Sequence, residues 1–230
     1  TTLSAGLSKI TITAGSGSGD TVVPTPDDGS GDLTPPAPTA VIAELMAGAP
    51  GKTGSDTAPL VLVEWSDYQC PYCKAFFINT EKALVEKYVK TGKLQILYKD
   101  FPLSFHPMAA PSANAARCAG DQGKYWEMHD KIFEETYKIN PSATSQYTND
   151  DLKQWGKDLG LNTTTFDKCV DDDAHATDIT ANFNEGAANG ISGTPSFFLG
   201  PRDGEGQLIV GAQPLATFEA AIDALLAQQN

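Results

Sequence analysis

Two cysteines separated by a proline and a tyrosine, Cys70-Pro71-Tyr72-Cys73, are the residues of this 230-residue sequence best suited to covalent chemistry. Upstream, the run Leu60-Val61-Leu62-Val63-Glu64-Trp65 reads as a buried strand. Downstream, Phe76, Phe77, Leu84, Val85, Tyr88 and Val89 recur near helical spacing until Gly92 closes the segment. A cysteine at such a strand-to-helix junction faces unpaired N–H groups and the positive end of the helix dipole, which favour thiolate. Free cysteine titrates near about 8.5, and settings of this kind bring the value to about 3.5–7.5. Cys70 is therefore the expected nucleophile of thiol–disulfide exchange, and Cys73, one turn deeper, the resolving thiol. A zinc half-site and a structural disulfide are the competing readings. Structural zinc needs about four ligands. With Cys118 and Cys169 standing alone and His106, His129 and His175 scattered, no metal is expected, and no cofactor either.

The elements that must hold this motif can be read outward from it. Leu94-Gln95-Ile96-Leu97-Tyr98 is a second strand, parallel to the first because it follows a helix, which makes a βαβ unit. Residues from about 107 to 189 carry Ala-rich and amphipathic stretches, namely Met108 to Ala119, Tyr125 to Tyr137, Asp150 to Leu159 and Thr177 to Ala188, and read as a helical insertion. Ser196-Phe197-Phe198-Leu199 and Gln207-Leu208-Ile209-Val210 form a hairpin across the turn residues Gly200 to Gly204, before a terminal helix from about Leu215 to Gln228. A short helix is expected near Val41 to Met46.

Composition sets limits. Hydrophobic residues are 40% and charged residues 20%, close to a globular average. The excess of 29 acidic over 16 basic residues, a formal charge of −13, argues against nucleic acid and against an anionic membrane face as partners. Residues 1–40 are rich in Gly, Ser, Thr, Pro and Asp and read as a flexible linker or tether, with Ile10-Thr11-Ile12-Thr13 as an alternative edge strand. The single domain is then 41–230. No stretch has the roughly 18 to 20 apolar residues that span a bilayer. A start at Thr1 rather than Met suggests a processed chain, once preceded by a signal peptide or membrane anchor.

Val63-Glu64-Trp65-Ser66-Asp67-Tyr68-Gln69-Cys70-Pro71-Tyr72-Cys73 resembles the active-site stretch of the DsbA-like family of bacterial thiol–disulfide oxidoreductases. Gly193-Thr194-Pro195-Ser196-Phe197-Phe198 resembles that family's cis-proline loop, and the likeness covers roughly residues 58–229. The resemblance implies an α/β thioredoxin-like fold with a helical insertion (DsbA-like), preceded by the flexible N-terminal linker. It implies a cis bond before Pro195, with the Thr194 backbone beside Cys70, ready to hold an extended substrate segment. Pro71, Tyr72, Thr194 and Pro195 are the substrate-binding candidates on this basis. Glu64 matches a buried acid beneath the family's active site, where desolvation should raise its pKa and let it trade a proton with Cys73. Lys99 matches a basic partner, and a Glu64–Lys99 pair would serve either proton transfer or structure alone. Asp67, in the turn, is expected to be solvent-exposed. Trp65, Tyr68, Phe76 and Phe77 read as core or as the rim of an apolar surface. Some relatives carry a bridge within the insertion, and together with the even cysteine count this implies a Cys118–Cys169 structural disulfide, two buried free thiols being the alternative.

The function these features imply is the introduction of disulfides into cysteine-containing exported proteins. Electrons would pass on to a membrane-bound thiol oxidase of DsbB-like or VKOR-like type, from a monomer placed outside the cytoplasm, in the periplasm or at the cell-envelope surface. A disulfide isomerase or reductase is the first rival, weakened by the lack of a folded dimerisation module in the tail. A non-enzymatic binding module is the second. Asp171-Asp172-Asp173 reads as a solvated helix end rather than a calcium loop.

Overall fold

The computed structural model describes residues 38–229, so most of the linker and the Ile10–Thr13 strand candidate lie outside the described residues. The chain enters the sheet with β1 (Thr39–Val41), turns through the short α1 (Ile42–Leu45), and adds the edge strand β2 (Gly51–Thr53). The two central strands are β3 (Leu60–Ser66) and β4 (Leu94–Asp100), parallel to each other and buried along their whole length. Between them runs one continuous helical rod: α2 (Pro71–Phe76), a π-helical stretch Phe77–Glu81, α3 (Lys82–Leu84) and a second π-helical stretch Val85–Val89. Five helices then separate β4 from the rest of the sheet: α4 (Ala109–Gly120), α5 (Tyr125–Ile139), α6 (Asn149–Asp158), α7 (Thr163–Asp171) and α8 (Ala176–Ala188). The hairpin β5 (Ser196–Pro201) and β6 (Glu205–Val210) and the terminal α9 (Leu215–Ala227) complete the fold.

The sheet order is β1-β6-β5-β3-β4-β2, with β5 antiparallel to β3 and β2 antiparallel to β4. Because successive side chains point to opposite faces, each central strand serves two cores. Leu60 and Leu62 of β3, Leu94 and Ile96 of β4, and Phe197 and Leu199 of β5 pack against Phe76, Leu84 and Tyr88 of the rod and Phe218 and Ile222 of α9. Val61, Val63 and Trp65, with Leu97 and Phe198, pack on the other face against Ile42, Leu45 and Phe183. There α8 comes close: a Cβ on Gly186 would stand 2.7 Å from the Trp65 ring, and the Trp65 indole donates to Asn182 O at 3.1 Å. The insertion has a third core, in which Phe77 and Tyr98 meet Met128, Phe133, Leu152 and Phe166.

The helix start of α6 follows from sequence, since Thr148 and Asp151 form a reciprocal capping box. Arg117 of α4 is buried and ties the end of β4 to the insertion, donating to Asp100 Oδ2 at 2.7 Å and to Asn182 Oδ1 at 2.8 Å.

Candidate active site

The chain reaches Cys70 from β3 through a tight turn in which Cys70 N donates to Asp67 O at 3.0 Å. Cys70 is the extended N-cap residue of α2 and Pro71 occupies its first position, where a missing N–H costs nothing. Cys70 and Cys73 are both free thiols, 3% and 0% exposed. The Cys70 thiol lies 3.6 Å from the Thr194 carbonyl oxygen, and the Thr194–Pro195 peptide is cis. Asp67 N donates to Cys73 Sγ at 3.4 Å. A hydrogen bond from the Cys73 thiol, together with Thr194 and the N–H groups of Cys73 and Tyr72, brings Cys70 down to about 6 against the opposing effect of burial. Burial, and then the neighbouring Cys70 sulfur, push Cys73 well above the usual thiol range. The two thiols are thus driven apart, the outer toward thiolate and the inner toward thiol.

Glu64 is 2% exposed, and burial pushes its carboxyl from about 4.5 up to about 8. It pairs across the sheet with Tyr98, whose phenol feels the charges of both Glu64 and Cys73. Glu81, at the end of the first π-helical stretch, is a second buried acid, pushed well up by burial and then by Glu64, and its Oε2 has no hydrogen-bond partner. The expected Glu64–Lys99 pair does not form. Lys99 pairs in register with Trp65, one step from Glu64, so period-two alternation sends it to the opposite face of the sheet. There it bonds Glu185 of α8, donates to Ala47 O at 2.6 Å and stands 5.4 Å over the Trp65 ring.

Asp67 is also placed otherwise than expected, at 2% exposed rather than in solvent. Its carboxylate accepts from Gln69 N at 2.7 Å and Leu103 N at 3.0 Å and pairs with His106 Nδ1 at 2.8 Å. Gln69 is local, but Leu103 and His106 lie on the loop after β4, too far along the chain for local spacing to reveal. Gln69 reaches further, accepting from Met108 N at 2.8 Å and donating to Ser145 O at 3.0 Å. Lys74, next to Cys73, is 1% exposed, and its ammonium meets Asn140 O at 2.5 Å, Ala143 O at 2.8 Å and Ser145 Oγ at 3.0 Å. The signal for Lys74 was present, since it shares a helical face with Phe77 and Ile78. Trp65, Tyr68, Phe76 and Phe77 are buried, whereas Tyr72 is 67% and Phe105 71% exposed.

In the insertion, a disulfide joins Cys118 of α4 to Cys169 of α7. His175, six residues after Cys169 but distant in sequence from Cys118, comes beside the bridge, with Nε2 2.9 Å from Asp121 Oδ2. Asp171 and Asp172 are engaged by Lys153 and Lys168.

A dithiol at the N-terminus of a helix, on a central parallel strand and facing a cis-proline loop, defines a thioredoxin-fold protein, here with helices inserted between β4 and β5. A sequence-family model described as thioredoxin matches residues 49–224, and the chain belongs to that family. Its fold is that of the DsbA-like members. BdbD from Bacillus subtilis superposes with a TM-score of 0.70 at 21% identity, covering 83% of this chain and 98% of BdbD. The alpha-DsbA1 protein of Wolbachia pipientis gives 0.65 at 23% identity, covering 77% and 90%. Among curated sequences, a Na(+)/H(+) antiporter NhaA 1 of Salinispora arenicola is 30% identical over 168 residues, 73% of this chain but 24% of the antiporter. A Rickettsia bellii protein named a protein-disulfide oxidoreductase is 29% identical over 147 residues, 64% of this chain and 55% of that protein. The chain thus spans about a quarter of the first of these relatives and about half of the second.

Proposed function

We propose that this protein is a thiol–disulfide oxidoreductase that introduces disulfide bonds into exported proteins through Cys70 and Cys73. The observation that carries the reading is the opposed tuning of the two thiols, with Cys70 at about 6 and Cys73 well above the usual range. A stabilised Cys70 thiolate is a good leaving group and favours the reduced enzyme, so the oxidised enzyme gives up its disulfide readily. The family membership and the name of the Rickettsia relative support the same chemistry.

Each step conserves atoms and electrons. A substrate thiolate attacks Cys70 Sγ in the oxidised enzyme, forming a mixed disulfide and expelling Cys73 as thiolate. Burial makes that thiolate unfavourable, and Glu64, protonated at neutral pH, is the donor we assign to it. A second substrate thiolate then attacks the substrate sulfur of the mixed disulfide, closing the substrate disulfide and releasing Cys70 as its stabilised thiolate. Two electrons now reside on the enzyme. A membrane-bound thiol oxidase of DsbB-like or VKOR-like type is the proposed acceptor, with Glu64 taking back the Cys73 proton.

Pro71, Tyr72, Thr194 and Pro195 form the proposed substrate contact, where the Thr194 backbone would align an extended segment as an added strand. The proposed location is outside the cytoplasm, where such substrates are oxidised. Mixing the oxidised protein with a reduced dithiol peptide tests the reading. One peptide disulfide should appear per enzyme consumed, and a failure to oxidise the peptide would refute it.

A further inference from the structure

Asp67 and His106 form a buried ion-pair geometry that the exchange chemistry above does not use. The Asp67 carboxylate meets His106 Nδ1 at 2.8 Å, while the Asp67 backbone binds both cysteines, accepting from Cys70 N at 3.0 Å and donating to Cys73 Sγ at 3.4 Å. The same carboxylate accepts from Gln69 N and Leu103 N, so one side chain fixes the turn before Cys70 against the loop that carries His106. His106 is 9% exposed and is itself held by its loop, donating from N to Leu103 O at 2.9 Å and accepting at O from Ala109 N at 3.1 Å.

We infer that His106 is a positioning residue for Cys70: as an imidazolium held by Asp67, it fixes the active-site turn and supplies a positive charge that favours the Cys70 thiolate. The inference rests on the exchange reading and deepens it, assigning to a residue outside the Cys-X-X-Cys motif a share in stabilising the attacking sulfur. Asp67 first, and Cys70 in addition, hold His106 above its ordinary value against the effect of its burial. The other ionisable groups around the pair are committed elsewhere. Tyr147, which faces Asp67, holds Ser112 Oγ at 2.8 Å, Lys74 is bound to the 140–145 loop, and Asp100 is paired with Arg117.

The coupling must be reciprocal, since if the imidazolium favours the thiolate, the thiolate favours the imidazolium to the same degree. Two measurements follow. In the reduced protein, the rate of Cys70 alkylation by iodoacetamide is followed from pH 4 to 9 for wild type and His106→Gln, whose amide can still donate to Asp67 but carries no charge. The variant should move the Cys70 titration upward and cut the alkylation rate at pH 6 by about threefold or more. In the folded wild-type protein and in Cys70→Ser, the His106 ring is titrated by NMR, and its protonation should shift to lower pH when the sulfur is removed. Coincident alkylation profiles, or a His106 titration indifferent to Cys70→Ser, would overturn the inference while leaving the exchange reading standing. A wild-type Cys70 that reacts only at the pH of an ordinary thiol would overturn both.

Discussion

The sulfur of Cys70 and the carbonyl oxygen of Thr194 lie 3.6 Å apart across a sequence separation of 124 residues. The contact joins the start of α2 to the loop before β5, and it sets an accepting backbone group beside the sulfur that exchanges. Under the proposed substrate contact, an extended peptide paired with the Thr194 backbone would bring a cysteine in the matching register to Cys70. Of the two cysteines only Cys70 keeps a sliver of surface, at 3% exposed, while Cys73, at 0%, is sealed behind it.

That asymmetry predicts distinct outcomes for the two serine variants. Cys70→Ser should abolish exchange. Cys73→Ser, once activated as a Cys70 mixed disulfide, should still accept attack at Cys70. With a peptide that carries a single cysteine the resulting enzyme–peptide mixed disulfide should accumulate, because neither Cys73 nor a second substrate thiol is there to resolve it. Mass spectrometry under non-reducing conditions distinguishes the two, and equal trapping by both variants would contradict the assignment.

Glu64 predicts a pH dependence with a definite sign. Its carboxyl holds a proton up to about 8 in the fold and to about 4.5 when unfolded, so across that window the native state binds more protons. Stability falls as pH rises through the window, by at most about 1.4 kcal/mol per unit, and Glu64→Gln removes the loss. The variant should gain stability relative to wild type between pH 5 and 8 in urea unfolding, yet turn over roughly tenfold or more slowly because it can neither give nor take the Cys73 proton. Parallel stability curves would show that Glu64 is not held protonated.

Lys74 pins the loop between α5 and α6 to the active-site helix by meeting Asn140 O, Ala143 O and Ser145 Oγ. Lys74→Met fills the same space but leaves two part-buried carbonyls and the buried Ser145 hydroxyl without their ammonium donor, at a cost of about 1–3 kcal/mol. Amide hydrogen exchange should rise selectively at residues 140–146. Unchanged protection there would mean the loop holds itself.

The Cys118–Cys169 bridge closes a separation of 51 residues, for which chain entropy gives about 4 kcal/mol. Replacing both cysteines by alanine should lower thermal stability accordingly while leaving the titration of Cys70 unchanged. A shifted Cys70 titration would show that the insertion acts on the active site.

The major elements were legible because their signals are local. The apolar run from Leu60, the helical recurrence of Phe76, Leu84 and Tyr88, and the Ala-rich stretch before Cys118 each name their own structure. β1 and β2 are three residues each and exist only because β6 and β4 offer edges to pair with. α7 begins Thr163-Thr164-Thr165, poor helix formers that are rescued by the Asn162 cap and by burial of Phe166 and Val170. Lys99 was assigned to Glu64 by likeness alone, although alternation along β4, with Tyr98 in register with Glu64, argues against it. Asp67 and His106 meet across 39 residues, and no short-range pattern announces such a pair.

The reduction potential of the Cys70–Cys73 pair tests the central claim most directly. The protein is equilibrated in graded glutathione buffers, with a Cys118→Ser/Cys169→Ser variant run in parallel to exclude the second pair. A thiolate stabilised as Cys70 is here predicts a potential toward the oxidising end, between about −180 and −120 mV. A value near about −270 mV would contradict the account, because it would place this dithiol among reductants that keep substrate thiols open.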